Sequence, residues 1–153
     1  EVYILAEGVD RVLGWRSPNF VYYPSTAPKL KLLLKNYHLS DDIAFRFSNH
    51  SWSEYPLTAE KYARWIHTIA GNGEVVGLFM DYETFGEHQW ADCGIFNFLE
   101  ALPEHILKHP DYHFQTPAEI SSTYSPVGAF DSKEYISWAD IDRGLSAWLG
   151  NPL

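Results

Sequence analysis

The stretch that decides the fold is Val75-Val76-Gly77-Leu78-Phe79-Met80-Asp81-Tyr82-Glu83-Thr84-Phe85-Gly86-Glu87-His88-Gln89-Trp90. It opens with a nearly unbroken apolar run and stops at an acid. Such a run suits a parallel strand covered on both faces better than a half-exposed one. In a parallel α/β barrel the loops after the strand C-termini carry the chemistry. An acid there, followed by aromatic and further acidic residues, has the make-up of a carbohydrate site: aromatic faces stack on sugar rings, and carboxylates bind hydroxyls or move protons. Other readings of the same residues stand beside it. Asp81 can end a strand simply as a turn or cap residue, or belong to an ion site. Gly86 indicates only that the loop needs a permissive backbone position.

Upstream, Val2-Tyr3-Ile4-Leu5 reads as a short buried strand ending at Ala6-Glu7-Gly8, the same strand-then-acid order. Two acids at the ends of two parallel strands can face each other, and glycoside hydrolysis requires paired carboxylates. Glu7 reads more readily as a supporting or capping acid than as a nucleophile. Phe20 to Pro24 is a β-rich run, and Leu30 to Leu34 a further strand. Ser40-Asp41-Asp42 reads as a helix start, with Arg46 placed to form a salt bridge. Thr58 caps a helix whose Tyr62, Trp65, Ile66 and Ile69 share one face, and Gly71 stops it. On that helix Trp65 is core and His67 faces solvent.

Downstream, Gly94 opens a helix that buries Ile95, Phe98, Leu99 and Leu102, with Pro103 starting a new turn. Phe114 ends a very short strand. Thr116-Pro117-Ala118-Glu119 is a capping box with Pro at the first helical position. The stretch from Ser121 to Lys133 reads as loop, and Ser137-Trp138-Ala139-Asp140 starts the last helix. Alternating helices and strands predict an α/β fold with a parallel sheet.

The 153 residues suffice for one domain with a core, and 46% of them are hydrophobic. Six Trp and ten Tyr favour a binding surface or a large aromatic core. Eleven basic against 20 acidic residues give a net charge of −9, which argues against nucleic acid and against an anionic membrane surface. The single cysteine, Cys93, makes no internal disulfide, so a cytoplasmic setting is expected. No apolar stretch approaches the roughly 20 residues of a membrane span. Walker, GxGxxG, G-x-S-x-G, HEXXH and CxxC patterns are absent. No second group of ligands accompanies Asp81, Glu83, Glu87 and His88, so neither metal nor cofactor is expected. The chain has no initiator Met and opens almost directly in a strand, which suggests a piece of a larger protein.

Met80 to His88 with Gly94-Ile95-Phe96 resembles glycoside hydrolase family 57, its α-amylase type. Ala6 to Arg11, Trp15 to Asn19, Leu39 to Ile43, Ser137 to Asp140 and Leu145 to Asn151 are similar to the same family's sequence. The resemblance implies part of an incomplete (β/α)7 barrel over about residues 1–130, and the start of a following helical region over about 131–153. It implies a retaining enzyme acting on α-1,4- and α-1,6-linked glucans, with Asp81 as general acid/base. The nucleophile motif of the family would lie before Glu1. Ending a buried strand among Tyr82, Phe85 and Trp90 would desolvate Asp81 and raise its pKa. Glu7, Trp15, Glu83, Trp90 and Trp138 are the candidate substrate-binding residues. The expected partners are an α-glucan and the remainder of the same polypeptide. Alternatives are a 4-α-glucanotransferase or branching enzyme, a non-catalytic carbohydrate-binding or structural piece, and a metal-dependent polysaccharide deacetylase, which would need a histidine-rich metal motif.

Overall fold

A computed structural model describes residues 2–137. Among them a small sheet carries three strands, β1 (Tyr3–Glu7), β2 (Val21–Tyr22) and β3 (Lys31–Lys35), in the order β1-β3-β2. β1 and β3 run parallel, Tyr3 opposite Lys31 and Glu7 opposite Lys35. β2 is antiparallel to β3, which departs from the all-parallel expectation. Its two residues turn back through Tyr23, which bridges to Ala129, so this edge belongs to a returning loop and not to a βαβ unit.

The helices are α1 (Asp10–Leu13), α2 (Tyr37–Ala44), α3 (Ala59–His67), α4 (Ile95–Leu107) and α5 (Pro117–Thr123). Asn36, and not Ser40, caps α2: its side chain accepts from the Leu39 amide. Thr58 caps α3 and accepts from the Lys61 amide. At α5 the Thr116–Glu119 capping box closes in both directions with Pro117 beside it, and the helix runs on to Thr123, beyond the loop start expected at Ser121. Among the described residues Phe114 ends no strand.

Val75 to Met80 pairs in no ladder among the described residues, contrary to the central strand expected there. The segment is held from the sides. The Asn36 amide donates to the Gly77 carbonyl at 2.8 Å, and the Phe79 amide to Ser40 Oγ at 3.2 Å. The Leu34 carbonyl sits so close to Gly77 that a Cβ there would lie 2.4 Å from it. An apolar run reports half-burial beside β3; it does not report pairing.

The larger core lies between α3 and α4. Phe47, Tyr62 and Phe98 meet edge to face, with Phe47–Phe98 at 5.0 Å and Tyr62–Phe98 at 5.7 Å between ring centroids. Trp65 packs against this cluster, as its helical spacing predicted. Leu99 points outward, one position off the stripe of Ile95, Phe98, Leu102 and Ile106. Pro103 lies inside a continuous α4 and starts no new turn. His67 is half-buried, with Nε2 2.9 Å from the Ile106 carbonyl, so it joins α3 to α4 instead of facing solvent. A second cluster of Leu13, Tyr22, Leu32, Leu34 and Phe130 packs on the sheet. No helix among the described residues is long and apolar enough to cross a membrane.

Candidate active site

Asp81 stands where the Val75 to Met80 segment meets solvent. It heads a 3-10 turn over Tyr82–Thr84, accepting the Thr84 amide on its backbone carbonyl at 3.1 Å. Its carboxylate makes no capping hydrogen bond to that turn. The turn reading of Asp81 thus occupies its backbone and leaves its side chain available. The loop beyond is tightly tied. The Gly86 amide donates to the Gln89 carbonyl at 2.9 Å, and the Gln89 amide to Thr84 at 3.0 Å. Gly86 sits at φ +120°, a conformation that side chains rarely adopt, so glycine is required here. The buried Gln89 side chain donates to the Ala44 carbonyl and joins the loop to the end of α2.

A cavity of about 690 Å³ opens at this end of the sheet, with Asp81, Glu7, Lys35, His88 and Glu134 on its wall. Leu5, Phe79 and Met80 give it apolar surface. Glu7 closes β1 and lies in register with Lys35, which closes β3. Lys35 Nζ is 3.8 Å from Glu7 Oε2 and 3.8 Å from Asp41 Oδ1, and each of the three side chains is about nine-tenths buried. The strand-then-acid pattern therefore brings Glu7 and Asp81 to one cavity. Beside Glu7 stands a cation that sequence inspection missed, because a lysine at a strand end carries no distinguishing signal.

The other candidates separate. Asp81 is exposed, and Tyr82 projects into solvent at 96% exposure, so the aromatic burial expected around Asp81 is not what these residues provide. Glu83 is exposed and serves the loop through its carbonyl, which accepts the Glu87 and His88 amides. Trp15 is 95% exposed and does not line the cavity. Trp90 is 66% exposed and borders a smaller hollow of about 310 Å³ with Ser48, His50, Asp92 and Cys93. His88 lines both hollows. The Trp90 indole N–H donates to the Glu87 carbonyl at 2.7 Å, which fixes the ring. Trp138 lies outside the described residues. Arg46 pairs with Asp42 at 2.6 Å as its spacing predicted; burial raises the Asp42 pKa, and the guanidinium offsets part of that. Among the described residues no group of three or more His, Cys, Asp or Glu side chains is placed to hold a metal ion.

The described residues thus form a small α/β unit with an open cavity lined by apolar side chains and a few converging charged groups. Comparison with known sequences is more specific: the model of glycosyl hydrolase family 57 matches residues 2–136, and the chain belongs to that family. A protein of Methanocaldococcus jannaschii named "Putative alpha-amylase" is 49% identical over 152 residues. The alignment covers 98% of this chain and 32% of that relative, so the chain spans about a third of its length. No solved structure gives a significant match.

Proposed function

We propose that this chain supplies the general acid/base of a retaining glycoside hydrolase acting on α-1,4-glucans, with Asp81 in that role. The observation that carries this reading is the place of Asp81: on the wall of the 690 Å³ cavity, with a carboxylate not spent on capping its own turn. In the first half of the reaction Asp81 gives its proton to the departing glycosidic oxygen. In the second half, now ionised, it takes a proton from the incoming water.

A retaining mechanism needs a second carboxylate about 5–5.5 Å away as nucleophile. Glu7 is held by Lys35 and suits support of the site, so the nucleophile is assigned to the polypeptide outside these 153 residues. The same assignment extends to the rest of an incomplete (β/α)7 barrel, which family membership supports, and to the helical region following it. Hydrolysis is preferred over glucan transfer or branching because the M. jannaschii relative is named for the hydrolytic activity. The lone Cys93 suits a reducing, cytoplasmic setting. The polysaccharide deacetylase alternative is set aside in favour of the family to which the chain belongs.

The test is Asp81→Asn in the full protein. Turnover of maltooligosaccharides should be abolished while maltoheptaose still binds by calorimetry. Substantial remaining turnover refutes the role.

A further inference from the structure

The ammonium of Lys35 is buried between the carboxylates of Glu7 and Asp41. Lys35 Nζ stands 3.8 Å from each carboxylate, close enough for ion pairing and too far for a hydrogen bond. Among the described residues no hydrogen bond from Lys35 Nζ is found, although an ammonium carries three donors. Burying an ammonium at one-tenth exposure is costly unless its N–H groups are satisfied. This ammonium lies on the wall of the Asp81 cavity. Two features aim it. The register of β1 and β3 sets Glu7 opposite Lys35, and α2 brings Asp41 to the same nitrogen.

We propose that Lys35 is a substrate-binding residue whose N–H groups donate to hydroxyl oxygens of a neutral oligosaccharide in the Asp81 cavity, with Glu7 and Asp41 as positioning residues. The charge around it sets the ligand class. One ammonium is outnumbered by Glu7 and Asp41, and Asp81 and Glu134 border the same cavity. Excess negative charge repels a phosphorylated or uronic sugar, whereas hydroxyl groups accept from the ammonium without bringing charge. This assignment rests on the cavity being the glucan site; it does not rest on Asp81 being the acid/base.

The experiment is calorimetric titration of maltoheptaose into the full protein carrying Asp81→Asn, with and without Lys35→Met. The second change should weaken binding at least tenfold, and Lys35→Arg should recover part of the loss. A purely structural lysine would lower the melting midpoint and leave affinity within twofold, which overturns the proposal. Should Lys35→Met fail to fold, the ¹⁵Nζ resonance of Lys35 in the Asp81→Asn protein decides: it should shift on adding maltoheptaose, and an unmoved resonance overturns the assignment. Oligogalacturonate of similar length should not compete; equal or tighter binding of that polyanion overturns the ligand class. Absence of any maltoheptaose binding overturns it as well. Turnover surviving in Asp81→Asn sinks only the acid/base role, because the Lys35 result is read from binding.

Discussion

The side-chain amide of Gln89 donates to the main-chain carbonyl of Ala44 across 2.9 Å, so the loop carrying Asp81 is fastened to the last turn of α2. Both residues are buried. Replacing Gln89 by Leu leaves that carbonyl without its donor and should cost about 1–3 kcal/mol of stability. It should also lower kcat, because the loop loses its tether to α2. Chemical denaturation and steady-state kinetics on the full protein read the two effects. Unchanged kcat with lowered stability would show that the tether serves folding alone.

Trp90 presents a ring fixed by its bond to the Glu87 carbonyl, beside a hollow that shares His88 with the Asp81 cavity. A glucan extending past His88 would reach it. Trp90→Ala should remove about 1 kcal/mol of stacking, roughly fivefold in affinity, for long oligosaccharides. Short ones that fill only the larger cavity should be affected little. The comparison of KM for maltotriose and maltoheptaose checks this.

Tyr62 donates to the Leu39 carbonyl at 2.6 Å inside the main core. Burial, reinforced by the negative charge of Asp42, raises the pKa of its phenol. The folded state therefore favours the protonated phenol. Its contribution to stability is complete below the unfolded value near 10 and is lost as pH climbs above it. Tyr62→Phe should be less stable than the parent at pH 7 by about 1–3 kcal/mol. The gap should narrow above pH 10, where the phenol of the unfolded parent ionises while the buried one stays protonated. Urea midpoints at pH 7 and 10.5 measure both.

At the start of α5, Thr116 and Glu119 satisfy each other's backbone amides. Thr116→Ala should cost about 1 kcal/mol. Native-state hydrogen exchange should place the loosening in the first turn of α5 and leave α3 and α4 unaltered.

The helix caps at Thr58 and Thr116 and the positions of Trp65 and Phe98 could be read from the chain because capping and helical spacing are local. The meeting of Glu7 and Asp81 at one cavity could be read too, since each follows an apolar run. The ladder expected at Val75 to Met80 could not. Apolar content tells how much water a segment avoids, whereas pairing depends on which backbone comes alongside. Here Asn36 and Ser40 satisfy parts of that segment in place of a neighbouring strand. Lys35 escaped notice for a similar reason: its burial arises from the β1–β3 register and from α2, and neither is visible at the residue itself.

Cys93 is the only thiol in these 153 residues, and it is half-buried at the rim of the hollow that Trp90 borders. The fold thus offers a ready-made labelling handle. An environment-sensitive fluorophore attached there would sit next to the indole, in the smaller hollow and off the wall of the Asp81 cavity. Its emission would report the arrival of a sugar chain in real time, whether or not a bond is cleaved.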